Sequence, residues 1–269
     1  MSNGESGCPG SRYEGAVLII DRDVASACVI AVVLARFMPV RIASTVTEAF
    51  RSSELISQLV VLLALDELDV EAFWYLRMMR DRLPHRRIVA TASDTLVGTG
   101  TLEAISADAV VRRPFTVDWL LRRLGMFLPS CSGGLSQHVS AAVEHVRGHC
   151  FETLTVPSIA EAVKIPSSRL AHLFSAELGI SVKDFVTRVR VEVAKRALLE
   201  SDEKLESIAE RLGFCDASHL SRVFHKIAGE CPGRYRHGFR QDTSRLFSLS
   251  TATSTLTSVV APSPNVQLT

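Results

Sequence analysis

The sequence predicts two domains: an α/β domain with a doubly wound, parallel five-stranded sheet, and an all-α domain with two helix-turn-helix motifs joined by a long helix. Three observations support this prediction. Short apolar runs alternate with helical patterns over residues 16–129. A segment of about 50 residues occurs twice after residue 157. An unbroken helical stripe separates the two copies.

The α/β domain is predicted from five apolar runs that alternate with helical segments. The strands are expected at residues 17–20, 40–42, 59–63, 88–90 and 109–111, and the helices at 25–37, 47–55, 72–82, 101–106 and 117–127. Continuous apolar runs are typical of strands buried on both faces of a parallel sheet. Any site in this domain is therefore expected at the carboxyl ends of its strands.

The all-α domain is predicted from an internal repeat. Residues 158–161, with the sequence SIAE, recur as residues 207–210, and the apolar positions that follow recur with nearly the same spacing. In the second copy Asp216 is placed to cap a helix that buries Leu220 and Phe224. In a helix-turn-helix motif this second helix enters the DNA major groove, and we call it the reading helix. The repeat therefore implies two reading helices.

The segment between the copies predicts one long helix. Apolar residues keep helical spacing from 182 to 199, and no Gly or Pro interrupts them. A helix of this length spans about 26 Å. It would hold the two reading helices at a fixed separation, and successive major grooves on one face of DNA lie about 34 Å apart.

Residues 138–240 resemble the DNA-binding domain of AraC/XylS-type bacterial transcription regulators. The matching segments are the SIAE sequence, residues 167–174, the pattern Arg190-x-Glu192-x-Ala194, residues 213–214, and residues 218–224. The resemblance implies that promoter DNA in double-stranded form is the partner. It places base contacts on the open faces of the reading helices, at Ser168, Arg169, Ala171 and His172 and at Ala217, Ser218, Ser221 and Arg222. Lys226, Arg190 and Arg196 are the expected phosphate contacts.

Residues 16–128 resemble the receiver domain of bacterial response regulators, a flavodoxin-like fold. The matching segments are residues 17–21, with the sequence VLIID, Thr91-Ala92, and Arg113-Pro114-Phe115. The resemblance implies a site with paired acids for Mg²⁺, an acceptor Asp after the third strand, a Thr or Ser, and a Lys. A metal and a cation against the oxygens are what phosphoryl transfer requires.

The sequence departs from that receiver pattern at several positions. Arg22 follows Asp21 where a second acid is expected, and Asp23 comes next. Ala64 falls at the acceptor position, and Arg113 replaces the Lys. Ala cannot accept a phosphoryl group, and the Arg22 charge would repel Mg²⁺. We therefore interpret the domain as a degenerate receiver that is not phosphorylated by the usual route.

Three arrangements of these residues remain open. If the third strand runs two residues longer, Asp66 takes the acceptor place and the protein is a phosphorylation-dependent response regulator. Alternatively, a small polar pocket for an anion or metabolite remains, formed by Asp21, Asp23, Thr91 and Arg113. In the third arrangement Arg22 forms a salt bridge with an acid in place of the metal.

Composition and charge narrow the class of protein. The formal net charge is +1, so any basic surface must be local. The six Cys show no metal-ligand spacing, and the first residues lack a signal segment. These two observations favour reduced thiols and a protein located in the cytoplasm, at the nucleoid. No apolar run reaches the roughly 18 residues of a membrane span. We find no motif for an enzyme, a metal or a cofactor.

The remaining segments predict connections and partners. Residues 1–15 are expected to be flexible, residues 130–137 to form a linker, and residues 241–269 to be a disordered tail. The helix predicted at 25–37 is apolar nearly all round, which favours a role of the first domain in homodimerisation. RNA polymerase is a further candidate partner. The alternative to a DNA-binding regulator is a protein-interaction module with no specific DNA site.

Overall fold

The computed structural model describes residues 16–51, 58–65, 77, 80, 86–93, 107–128 and 133–237. Several sequence predictions lie outside these residues. They are most of the helices expected at 72–82 and 101–106, the residue Asp66, the N-terminal segment 1–15, part of the linker, and the tail 241–269.

The first domain is built on a parallel sheet of five strands. These are β1 (Ala16–Ile20), β2 (Val40–Ala43), β3 (Gln58–Leu65), β4 (Arg87–Ser93) and β5 (Ala109–Arg113), in the order β2-β1-β3-β4-β5. The predicted five-stranded parallel sheet is confirmed. All five residues of β1 are buried, as the continuous apolar run predicts for a strand covered on both faces.

Three helices of the first domain are described. They are α1 (Val24–Leu34), α2 (Val46–Arg51) and α3 (Val117–Leu124). Asp23 caps α1, because its carboxylate accepts from the backbone N–H groups of Ala25 and Ser26. Thr116 caps α3 in the same way, through the N–H of Trp119. These caps fix where the chain leaves the carboxyl ends of β1 and β5.

The second domain is helical throughout its described length. Its helices are α4 (Gln137–His149), α5 (Val156–Ala162), α6 (Ser167–Leu178), α7 (Val182–Glu200), α8 (Leu205–Arg211) and α9 (Ala217–Ala228), followed by a short helix at 232–237. The pairs α5–α6 and α8–α9 are the two copies of the repeat. Their reading helices α6 and α9 both end at a glycine in the left-handed conformation, with φ of 70° at Gly179 and 82° at Gly229.

The two domains share one core. Nine of the eleven residues of α1 are buried, and the buried apolar residues of both domains form a continuous cluster. One side of α1 covers the sheet, and the other packs against α7 and α4 of the helical domain. The sequence prediction that α1 faces a dimer partner is therefore not supported, since the surface that suggested it is covered within the chain.

Arg196 of α7 bonds the two domains beside α1. Its side chain is buried, and Nη1 donates to the backbone carbonyl of Asp21 at 3.0 Å. Nη2 donates to the Ser44 hydroxyl and also pairs with Glu200 at 3.0 Å. A buried guanidinium is costly unless its donors are satisfied, so these bonds stabilise one relative position of the domains.

Further polar contacts join α3 to the helical domain. The backbone N–H of Val117 donates to Glu144 Oε1 at 2.6 Å, and Arg147 Nη2 donates to the carbonyl of Phe115 at 3.0 Å. Leu135, within the predicted linker, is buried, and its N–H donates to Asp118. The end of the linker is thus packed against the first domain.

The shared core predicts the reactivity of two thiols. Cys28 of α1 and Cys150 after α4 are fully buried, whereas Cys215 and Cys231 are exposed. Burial raises the pKa of both buried thiols, that of Cys150 to about 11. Because the thiolate is the reactive form, we expect alkylation at pH 8 to modify Cys215 and Cys231 at least ten times faster than the buried pair. Peptide mapping by mass spectrometry measures the four rates.

An Arg196→Met variant extends this test to the domain interface. It removes the donors to Asp21 and Ser44 and should raise the alkylation rates of Cys28 and Cys150 several-fold. Lys195→Met is the matched control. Lys195 pairs with Glu192 on the same helix, and its replacement removes the same charge without a bond to the first domain. Equal rates in the Arg196 variant and the wild type would mean that these bonds do not hold the domains together.

Candidate nucleic-acid interface

The second reading helix, α9, packs by one face and leaves the other open. Asp216 caps it by accepting from the N–H of His219 at 2.6 Å. Leu220 and Phe224 are buried, and Phe224 meets Tyr235 edge-to-face at 5.5 Å between ring centroids. The open face carries the predicted base contacts, with Ser218 and Arg222 exposed and Ala217 and Ser221 half-buried.

The first reading helix, α6, has the same arrangement. Leu170 and Phe174 are buried, and Phe174 packs against Phe185 of α7 at 5.3 Å between ring centroids. The four predicted base contacts are all exposed: Ser168, Arg169, Ala171 and His172. Both open faces can therefore be reached by a large ligand.

The open faces of the reading helices carry exposed cations. Arg169, Arg222 and Lys226 are exposed, and none of them forms an ion pair or hydrogen bond with a described residue. Other arginines of the same domain are paired with carboxylates, as Arg147 is with Glu144 and Arg211 with Glu203. The three cations on the reading helices therefore keep their donors available for a ligand.

The three predicted phosphate contacts differ in exposure. Arg196 is buried in the domain interface, so the prediction that it contacts phosphate conflicts with the structure. Arg190 is half-buried, and its Nη2 donates to the carbonyl of Glu152 at 3.1 Å, with Nη1 3.5 Å from that of Gly213. Arg190 therefore connects the segment before α5 to the turn of the second motif. Only Lys226, of the three, has the exposure expected of a phosphate contact.

Four residues of the predicted receiver-like pocket lie together at the carboxyl ends of the strands. Arg113 Nη2 forms a salt bridge with Asp21 Oδ2 at 2.8 Å, and Arg113 Nε donates to Thr91 Oγ1 at 3.1 Å. Asp21 Oδ1 accepts from the N–H of Asp23 at 2.9 Å. The Asp21 side chain is only 5% exposed, and its charge is compensated by Arg113.

The position of the acceptor follows from strand register. Ala64 is the partner of Thr91 across β3 and β4, which places Ala64 where the receiver pattern has its Asp. However, β3 continues to Leu65, two residues beyond the predicted end. Asp66 was the alternative phosphoryl acceptor on the condition that the third strand runs two residues longer, as it does. Asp66 itself lies outside the described residues. Arg22 is exposed, and Arg113 forms an ion pair with Asp21.

A cleft of about 560 Å³ lies next to this pocket, between the domains. Asp23 and Arg113 line it from the first domain, and Glu144 and Arg147 line it from α4. The sequence prediction of a polar pocket did not include the two residues from α4. Their contribution could not be predicted, because nothing in their local pattern indicates that α4 packs beside β5.

Other classes of site were sought in the described residues. Within them, no group of three or more His, Cys, Asp or Glu side chains is placed to hold a metal ion. No helix among them is long and apolar enough to cross a membrane.

Within the helical domain, residues 159–238 match the family model described as a helix-turn-helix domain. The arabinose operon regulatory protein of Escherichia coli is 32% identical over 120 residues, which are 44% of this chain and 41% of that protein. The uncharacterized HTH-type transcriptional regulator YobQ of Bacillus subtilis is 32% identical over 108 residues, 40% of this chain and 45% of that protein. The chain thus spans less than half of the length of these relatives.

A solved structure is similar to part of the chain. The C-terminal domain of AraT, a response regulator from Geobacillus stearothermophilus, is 32% identical. The match covers 39% of this chain and 87% of that one, with a TM-score of 0.37. By the family model and the sequence relatives, the second domain is a helix-turn-helix domain, and the chain is similar over part of its length to AraC-type transcription regulators.

Proposed function

We propose that the protein is a sequence-specific DNA-binding transcription regulator whose reading helices α6 and α9 enter successive major grooves. The observation that carries this proposal is the pair of open faces, which are exposed while the first domain is docked and which hold cations without ion-pair partners. The similarity to the protein named arabinose operon regulatory protein supports the same function.

The connecting helix α7 supports a site with two elements. Its 19 residues span about 28 Å, and its first and last turns lead into the two motifs. Reading helices held at such a separation suit elements about one helical turn apart on one face of the duplex.

Arg222 and Arg169 are the best placed of the predicted contacts to read bases. Each is exposed on an open face, and a guanidinium can donate two hydrogen bonds to O6 and N7 of guanine. The serines Ser168, Ser218 and Ser221 can contact several bases. Ala171 and Ala217 offer apolar contact, which suits a thymine methyl group.

We propose that the first domain acts without phosphorylation, by holding the connecting helix. Its pocket has Ala64 beside Thr91, and Asp21 is already paired with Arg113. Its helix α1 packs on α7, the element that sets the separation of the reading helices. Homodimerisation stays a proposal, as does contact with RNA polymerase. Either would need a surface other than α1. Location in the cytoplasm at the nucleoid follows from this function and is part of the same proposal.

Selection of random duplex DNA by the full-length protein at near-physiological salt tests the function. We expect a bipartite motif, with affinity that falls steeply as salt rises, because cations that contact phosphates displace counterions. Binding that depends on salt but recovers no motif would instead favour the interaction module.

Arg222→Ala tests the reading role of α9 on the selected site. Loss of a bidentate guanine contact should remove about 1 to 3 kcal/mol of discrimination at one base pair, measured by competition between matched and substituted duplexes. Arg234→Ala is the control, since Arg234 is an exposed cation of the same domain outside both reading helices. An unchanged base preference in the Arg222 variant would remove that residue from the base contacts.

Beryllofluoride with Mg²⁺ tests the first domain. We expect the DNA affinity and the thermal midpoint of the wild type to stay unchanged within error, because the Asp21 carboxylate is buried and already paired with Arg113. The Asp66→Ala variant, which lacks the alternative phosphoryl acceptor, is measured under the same conditions as the control. A response of the wild type that this variant abolishes would establish Asp66 as the acceptor and the protein as a phosphorylation-dependent regulator.

A further inference from the structure

A cleft of about 620 Å³ separates the two helix-turn-helix motifs. It is lined by the start of α5, the first half of α7, and the turn and reading helix of the second motif. The reading helices α6 and α9 both pack on α7. Because the cleft keeps the motifs apart on this side, their relative position depends on how each of them is attached to α7.

The chain joins the motifs to opposite ends of α7. The first motif leads into α7 through Gly179, which has the left-handed conformation, and Ser181, which caps the helix. The second motif follows Ser201, where α7 ends in extended backbone. Rotation about the backbone bonds of either connection would change the distance between the reading helices. A contact in the middle of α7 that includes both motifs would prevent such rotations.

Arg190 makes a contact of this kind. It is the ninth of the 19 residues of α7. Its Nη2 donates at 3.1 Å to the carbonyl of Glu152, in the connection that leads into the first motif. Its Nη1 lies 3.5 Å from the carbonyl oxygen of Gly213, in the turn of the second motif, so this hydrogen bond is a long one. One guanidinium therefore contacts the backbone beside both motifs.

Gly213 lets the guanidinium approach the turn closely. Its φ is 69°, in the left-handed region. A Cβ at this position would lie 3.3 Å from Nη2 and 3.4 Å from Cζ of Arg190. A larger residue would therefore be strained in its own backbone and would crowd the guanidinium. The contact of Arg190 with the second motif thus includes close packing as well as the long hydrogen bond.

The position holds a cation at a cost. Arg190 is half-buried, and its Nε is buried without a partner among the described residues. Burial lowers the pKa of Arg190, although an arginine remains protonated. An apolar side chain would avoid this cost and could not bond to a carbonyl, and a lysine lacks the planar fork of donors that reaches two acceptors. The arrangement of the donors is therefore the property that this position uses.

We propose that Arg190 sets the separation of the two reading helices and thereby determines which spacing between the two DNA elements the protein accepts. Its guanidinium holds the connection before the first motif and the turn of the second motif to one point of α7. Arg190 is a positioning residue, because it acts through these carbonyls and reads no base. The proposal rests on the proposed function, to which it adds the residue that determines spacing specificity.

The first experiment measures affinity as a function of spacing. One or two base pairs are inserted or removed between the two elements of the selected duplex, and each base pair moves one element by about 3.4 Å and rotates it by about 34°. We expect the wild type to lose about tenfold in affinity for a change of one base pair, because it can no longer contact both elements together. Arg190→Met and Arg190→Lys should each lose less than about threefold for the same change, with unchanged base preferences within each element.

Arg188→Met is the matched control. Arg188 is an exposed cation two residues earlier on α7, and it lines the same cleft without a hydrogen bond or ion pair to a described residue. Its replacement removes the same charge from the same helix and should leave the dependence on spacing as sharp as in the wild type. An equally sharp dependence in both Arg190 variants would overturn the proposal.

The salt dependence of binding separates the geometry of the guanidinium from its charge. We expect the slope of log affinity against log salt to be unchanged within error in both Arg190 variants. If Arg190 contacted a phosphate instead, Arg190→Met would weaken binding at every spacing and lower this slope by about 0.9, and Arg190→Lys would retain the wild-type slope and spacing dependence. That pattern would overturn the proposal.

Thermal melting of each full-length variant, followed by circular dichroism, checks that it is folded at the temperature of the binding assay. If Arg190→Met is unfolded, the Arg190→Lys variant decides. Unfolding of both variants would overturn the proposal, because Arg190 would then be required for the fold rather than for the spacing. Failure of the wild type to select any motif would overturn the proposed function, whereas a selected motif with the same spacing dependence in all proteins would overturn the role of Arg190 alone.

Discussion

Helix α1 constrains the whole molecule, because it has no polar face. Nine of its eleven residues are buried, and the five strands of its own sheet can cover only one side. The other side must be removed from water by a second surface, since several exposed Val and Ile side chains would each cost about 1.5 to 3 kcal/mol. The connecting helix α7 supplies that surface. The helix that separates the reading helices is thus also a wall of the first domain's core.

The same packing buries one cation of the helical domain and leaves others exposed. Arg196 lies in the domain interface, where it pairs with Glu200 and donates to the carbonyl of Asp21. Arg169, Arg222 and Lys226 stay exposed on the reading helices, without a carboxylate partner among the described residues. A chain with a net charge of +1 can therefore carry local positive charge on these two helices.

Local patterns were sufficient to predict the sheet and the repeated motifs, and they failed where a partner is distant in the chain. The strands, the cap at Asp216 and the terminal glycines follow from hydrophobic period and from residue conformation. Arg196 looked like one more cation on a helix, because its partners Asp21 and Ser44 lie more than 150 residues earlier. The apolar surface of α1 likewise shows that the helix avoids water on all sides, and it does not identify what covers each side.

Asp21 connects the polar pocket of the first domain to the helical domain through two different groups. Its carboxylate is held by Arg113, and its backbone carbonyl is held by Arg196 of α7. A change of partner at the carboxylate would reorient the same peptide segment that bonds to α7. Because Arg196 is buried and cannot exchange its bonds for water without cost, the displacement would be transmitted to α7 or the bond would break. The pocket is therefore connected to α7, and the Asp21–Arg113 pair holds it in one arrangement.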